Sequence, residues 1–245
     1  MKYAVIAAGE GSRLSQEGIQ VPKPLVEVGG EPLIDRLIRI FMDNDGQEIV
    51  VVCNENMPEV RVHLCHLAQD VCRERSVSLQ IVETRTPSSM HSLYKLRPWL
   101  KDSDFCLTTV DTFFHEKEFK QYVDGFKNAL KNDIDAWMGV TAYVDDEKPL
   151  YVETDETLRV TGFYDLPHQG CSYVSAGIYG FRSIAFETLE RCIQRGEQRM
   201  RNFQRALLTS HLNVRAFAFG PVFDIDHVAD IAKAEDFLVQ QNSFQ

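Results

Sequence analysis

Two rhythms alternate along the first half of the chain. "KYAVIAA", "EIVVVC", "VSLQIV" and "DFCLTTV" are short, nearly unbroken apolar runs. Runs of that length and continuity read as strands buried on both faces. Between them apolar residues recur three and four apart: Leu33, Ile34, Leu37, Ile38 and Phe41, then Val60, Leu64, Leu67, Ala68 and Val71 over residues 58 to 75. That spacing gathers each set on one helix face. "SSMHSLYKLRPWL" reads as a helix whose serines cap its start, and "EKEFKQYVDGFKNALKN" as a surface helix. Strand and helix in alternation predict an α/β fold with a mostly parallel sheet. After residue 134 the texture changes. "DAWMGVTAYV", "LYVET", "LRVTGFY" and "SYVSAGIYGF" follow one another as strands, and helices are predicted near 183 to 195 and 199 to 211. "NVRAFAFG" is a further strand and "VADIAKAEDFL" a closing helix. The second half therefore extends the sheet in a mixed or antiparallel sense. No repeat or linker interrupts the chain, so one domain over residues 1–245 is expected.

Composition narrows the function classes. The 245 residues are 44% hydrophobic and 25% charged, as in ordinary globular proteins. The net charge is -10, and no stripe of lysine and arginine marks a nucleic-acid surface. No apolar run has the length to cross a membrane. The six cysteines contain no C-x-x-C, and Cys65 and Cys72 lack a second ligand pair for zinc. Reduced thiols of a cytoplasmic protein are expected. The first strand starts at the N-terminus, without a signal peptide. Oligomeric state is left open.

Candidate chemistry gathers beyond the carboxyl ends of the strands, where open α/β sheets bind ligands. The loop "AAGEGSRL" follows the first strand. Gly9 and Gly11 permit a tight turn and close approach to the backbone. Free N–H groups of such a loop suit an anion, and Arg13 adds a guanidinium that grips phosphate through two hydrogen bonds. In "VPKPLVEVGGEPL" Lys23 stands between two prolines that stiffen its backbone. Asn54 and Glu55 follow the second strand, Ser88 and Ser89 the third. "TTVDT" places Asp111 at the end of the fourth, where a carboxylate suits a hard cation such as magnesium. "FDIDHVADI" offers Asp224 and Asp226, assigned to opposite faces of an extended segment so that at most one shares a cation with Asp111. Helix capping is the competing role for Asp226. The dinucleotide fingerprint fails at Leu14, and no Walker loop, G-x-S-x-G or H-E-x-x-H is present. His91 and His227 are read as structural or solvated.

Taken together, "AAGEGSRL", "PKPLVEVGGEPLIDRLI", "TVDT", "SAGIYGF" and "DIDHVADIAKAEDF" resemble the nucleotidyltransferases that activate sugar phosphates and phospho-alcohols, over nearly the whole chain. The resemblance implies a Rossmann-like three-layer α/β/α fold of the glycosyltransferase-A type. It implies transfer of a nucleoside monophosphate from a nucleoside triphosphate to a phosphorylated acceptor, a sugar 1-phosphate in most members, with release of pyrophosphate. Residues 1–133 then form the nucleotide half and 134–245 the acceptor half. Ala8, Gly9, Gly11, Ser12 and Arg13 look like the nucleotide-phosphate loop, with Arg13 on the leaving pyrophosphate. Lys23 would bridge the α-phosphate and the acceptor phosphate. Asp111 and Asp226 would hold magnesium, with Asp224 as rival. Ser88 and Ser89 match the base and ribose contacts; Ser175, Ala176 and Gly177 match the segment lining the acceptor pocket.

Two departures bear on the acceptor. A Glu-Lys pair usual in sugar-activating members is here Asp165 and Leu166, and Ser175 replaces an asparagine. A cytidylyltransferase acting on phosphocholine or another small phospho-alcohol is therefore the alternative. A nucleotide-sugar-dependent glycosyltransferase would want a D-x-D that "TVDT" lacks, and a non-catalytic nucleotide-binding regulator would not need Arg13, Lys23 and Asp111 together.

Overall fold

The computed structural model describes residues 1–242. Nine strands build one sheet: β1 (Lys2–Ala7), β2 (Glu48–Cys53), β3 (Ser78–Glu83), β4 (Phe105–Thr109), β5 (Ala136–Thr141), β6 (Tyr151–Thr154), β7 (Val160–Tyr164), β8 (Cys171–Phe181) and β9 (Val214–Phe219). The helices are α1 (Ser12–Gln16), α2 (Leu33–Asp43), α3 (Pro58–Leu67), α4 (Ser89–Leu100), α5 (Glu116–Leu130), α6 (Ala185–Gln194), α7 (Met200–Thr209) and α8 (Val228–Asn242). The apolar runs of the first half are β1 to β4, and the predicted helices form close to their expected bounds. One differs: the 58–75 segment leaves regular α-helix after Leu67 and continues as a π-helical turn, Ala68–Cys72.

The parallel core runs β3-β2-β1-β4, with β1 flanked in register by β2 and β4. β8 then pairs antiparallel with β4. β8 is eleven residues long, and one of its edges is shared. Ile178–Phe181 pair with β4, whereas Cys171–Val174 pair with β6, which carries β7 as a hairpin. Along its other edge β8 pairs with β5, and β5 pairs in parallel with β9. The expectation of a parallel sheet with a mixed extension therefore holds.

Alternation along β1 explains why its sequence is apolar throughout. Tyr3, Val5 and Ala7 face one core with α2, α3, α5 and α8; Ala4, Ile6 and Ala8 face a second with α4, α6 and α7. Residues two apart share a face, so a strand covered on both sides has no polar face to show. These two cores are the two interfaces of a three-layer α/β/α arrangement. Cys53 and Cys106 are both fully buried in the first of these cores, and all six thiols are unpaired. No helix among the described residues is long and apolar enough to cross a membrane.

Candidate active site

Parallel strands end together, so the loops leaving their carboxyl ends meet at one rim. A cleft of about 1040 Å³ opens there. Its wall is built from the loop after β1 with Arg13, from Asn54 after β2, from Arg85 to Ser89 after β3, and from Thr109 to Asp111 after β4. Lys23, Asp224 and Asp226 complete it. Glu55 does not line this cleft.

Lys23 lines the cleft and is largely buried. Its backbone starts a single 3-10 turn between Pro22 and Pro24, and its side chain is only 7% exposed. The ammonium donates to Asp111 Oδ2 at 2.5 Å and to Asp226 Oδ1 at 2.6 Å. The other oxygen of Asp226 accepts from Arg13 Nη1 at 2.6 Å, and Arg13 Nη2 reaches Glu147 at 3.3 Å. Residues 13, 23, 111 and 226 thus converge, although 88 residues separate Lys23 from Asp111 and 203 separate it from Asp226. Burial works to lower the Lys23 pKa, but the two carboxylates outweigh it, and the ammonium is held charged. Burial likewise pushes Asp111 up, and Lys23 reverses this, holding its carboxyl below the usual carboxylate range. Among the described residues Asp224 forms no ion pair. It stands exposed in the cleft, its carboxylate accepting from Thr112 Oγ1 at 3.4 Å.

The glycine loop and the lysine loop fit because Gly11 has no side chain. Gly11 sits at φ 60°, in the left-handed region, and a Cβ there would lie 2.8 Å from Lys23 Cβ. The glycine is thus needed twice, for its conformation and for the close approach.

Ser88 caps α4, accepting from His91 N, and its hydroxyl also meets the His91 ring at 2.9 Å. Ser88 and Ser89 both line the cleft. Asp224 and Asp226 correct the expectation drawn for them. Residues two apart in an extended segment share a face, so opposite faces were the wrong inference from period alone. Both carboxylates line the cleft. Ile225 between them is fully buried and anchors the segment, its N–H donating to Asp111 O at 3.0 Å.

Ser175, Ala176 and Gly177 do not line the main cleft. They occupy the stretch of β8 where its partner changes from β6 to β4. Gly177, at φ 70°, makes the irregularity there, and a Cβ on it would meet Thr112 Oγ1 at 2.6 Å. The Ser175 hydroxyl accepts from Gln204 of α7 at 2.9 Å. Asp165 is tied to Arg201 and Arg205, while Leu166 is 75% exposed. His227 meets Glu17 at 2.5 Å, tying α1 to the start of α8. Sequence reasoning missed Arg85, Thr86 and Ser92, and also Glu147. The first three sit close to the serine pair, a usable signal; Glu147 comes from an irregular segment with none.

The carboxyl groups of Asp111, Asp224 and Asp226 are an all-oxygen donor set, which suits a hard divalent cation and not a thiophilic one. Among the described residues no three acidic, histidine or cysteine side chains are gathered closely enough to hold a metal ion by themselves.

Comparison with known proteins gives this geometry a setting. Glucose-1-phosphate cytidylyltransferase of Salmonella typhimurium is 24% identical over 144 residues, covering 52% of this chain and 56% of that protein. The bifunctional protein GlmU of Methanococcus aeolicus is 22% identical over 242 residues, covering 97% of this chain and 53% of that protein. The chain spans about half the length of these curated relatives. Among solved structures, the inositol-1-phosphate CTP transferase from T. maritima superposes with a TM-score of 0.77 at 20% identity, over 96% of each chain, and so shares the fold. The nucleotidyl transferase family model matches residues 2–241, and on that match the chain belongs to the nucleotidyl transferase family.

Proposed function

We propose that the protein transfers a nucleoside monophosphate from a nucleoside triphosphate to a phosphorylated acceptor, releasing pyrophosphate. A sugar 1-phosphate is the acceptor class in keeping with the relatives' names. The observation that carries the reading is the buried ammonium of Lys23, held between Asp111 and Asp226 beside Arg13 in one cleft. An acceptor phosphate monoester has a second pKa near about 6 and arrives ionised, so no general base is required. The difficulty is bringing two anions together and stabilising the pyrophosphate that leaves.

This chain's residues suit that task. Arg13 is placed to take the leaving pyrophosphate, with the N–H groups of the loop from Ala8 through Gly9, Gly11 and Ser12 around the phosphates. Lys23 is placed to neutralise the α-phosphate and the incoming phosphate together. Its rigid mount keeps the reorganisation cost at the moment of reaction small. Ser88 and Ser89 lie on the side of the cleft assigned to base and ribose. Residues 134–245, with Ser175, Ala176 and Gly177, are assigned to the acceptor. Asp111 and Asp226 are the proposed magnesium ligands, and the nearby Asp224 is their rival. Bound there, the ion would supply charge neutralisation and orientation of the phosphates. The unpaired cysteines are in keeping with a cytoplasmic protein.

The test is pyrophosphate release across the four ribonucleoside triphosphates with a panel of phosphorylated acceptors, with and without a chelator. Release that needs one triphosphate, one acceptor and a divalent ion is the expected result. Release that no acceptor stimulates refutes the proposal.

A further inference from the structure

Glu147 stands between two spaces. On one side is a small recess of about 60 Å³, which it shares with His227 and with Arg13, Asp224 and Asp226 of the cleft. On the other is a second cavity, of about 800 Å³, between the start of β6, the turn after β7 and the first turns of α7. The cleft, the recess and the cavity therefore follow one another along the rim, joined by shared residues.

The second cavity has the wrong charge for this protein. Lys148, Arg199, Arg201 and Arg205 line it against two carboxylates, Glu147 and Asp165. The chain as a whole carries -10. Asp165 accepts from Arg201 Nη1 at 2.5 Å and pairs with Arg205 Nη2 at 2.8 Å. Arg201 Nη2 also donates to Lys148 O at 2.9 Å, and Arg205 Nε to Phe163 O at 3.0 Å. These bonds fix both guanidinium planes and leave further N–H donors on each. Glu147 is engaged with Arg13. Neither Arg199 nor the Lys148 ammonium has a carboxylate partner among the described residues. Two oriented forks and two unpaired cations in one concavity are an oxyanion site by their chemistry.

We propose that this cavity holds an oxyanion of the acceptor, a carboxylate or a phosphate, at the end remote from the phosphate that reacts. The placement rests on the transfer reading of the main cleft, because it is that cleft which assigns the reacting phosphate to Lys23. The acceptor class is then a sugar or polyol phosphate with a second acidic group. A phosphocholine-type acceptor is disfavoured, since it would place a permanent cation among four others.

Calorimetric titration of the whole protein tests this without requiring turnover. The probes are glucose 1-phosphate, glucose 1,6-bisphosphate, glucuronic acid 1-phosphate and phosphocholine. The expected result is binding at least about tenfold tighter for a probe with a second oxyanion than for glucose 1-phosphate, as charge-assisted hydrogen bonds supply. Preference for the bisphosphate alone assigns a phosphate, and preference for the uronic acid alone a carboxylate. In the Lys148→Ala, Arg199→Ala double variant, whose altered side chains have no carboxylate partner among the described residues, the advantage should fall below about threefold; Arg199→Glu should remove it as well. Equal affinities for all four probes, including no binding of any, overturn the proposal. So does an advantage that survives in both variants. Pyrophosphate release is measured separately. Oxyanion preference without acceptor-dependent release sinks the transfer reading alone, and release without the preference sinks the oxyanion cavity alone.

Discussion

Gly11→Ala is the substitution through which the architecture of the site is best tested. A Cβ at this position lies 2.8 Å from Lys23 Cβ and 3.7 Å from Lys23 Cα. Unstrained carbon contacts begin near 3.5 Å, so about 0.7 Å must be found. It cannot come from the tip of a flexible chain, because the clash is at the root of the Lys23 side chain, between Pro22 and Pro24. The left-handed backbone at φ 60° costs alanine about 1 kcal/mol more. Adding about 1–2 kcal/mol for the overpacking gives roughly 2–3 kcal/mol in all. For a domain of this size that lowers Tm by about 5–10 °C. The displacement also reaches the ammonium held at 2.5 and 2.6 Å by Asp111 and Asp226. A misplacement approaching 1 Å costs about 100-fold in turnover. Gly9→Ala is the internal control for stability, because a Cβ at Gly9 meets nothing within 4 Å and its φ is not positive. Thermal melts of both variants and the pyrophosphate-release rate of Gly11→Ala are the measurements. Equal Tm values for the two variants, or a Gly11→Ala enzyme at wild-type rate, would refute the argument that the two loops are interlocked.

The same contacts predict the outcome of three more substitutions. Lys23→Ala should lower pyrophosphate release by about two orders of magnitude or more, as loss of a charge on the transition state does, and a near-normal rate would show the site to be misplaced. Asp111→Ala should abolish release dependent on a divalent cation while circular dichroism stays native, since the strand-end contact from Ile225 N is to the Asp111 backbone carbonyl. Glu116→Gln probes a carboxylate that does not line the cleft. Burial pushes Glu116 up, but hydrogen bonds from Arg39 at 2.9 and 3.0 Å and the charge of buried Arg36 hold it below its usual range. A depressed folded pKa contributes stability above the unfolded value of about 4.3 and loses it as pH falls through the folded value. Glu116→Gln should therefore melt below the wild type near neutral pH, by about 1 kcal/mol, and the gap should close in acid; a gap constant from neutral pH down through the acid range contradicts the assignment.

Much of this molecule can be read before any coordinates. The runs in β1 to β4 are apolar because both faces are covered, and the helical stripes are apolar on the one face that covers them. The rule that parallel strands end at one rim was enough to group the glycine loop, Ser88, Ser89 and Asp111 as neighbours. Local period and loop chemistry carry that information, and both are properties of short segments. The pairing of Lys23 with Asp111 and Asp226 is not such a property, since it depends on how segments 88 and 203 residues apart are stacked. The same holds for the arginines of α7, whose helical period says that they lie outside the core but not that they share a carboxylate with Asp165. Ser175, Ala176 and Gly177 show the limit most plainly. Their sequence gives a strand, but where β8 exchanges one partner for another is decided by where β4 stops and β6 begins, and no local pattern records that. Charge meeting charge across the sheet rim is a tertiary event, because Coulomb attraction depends on distance in space and not on separation along the chain.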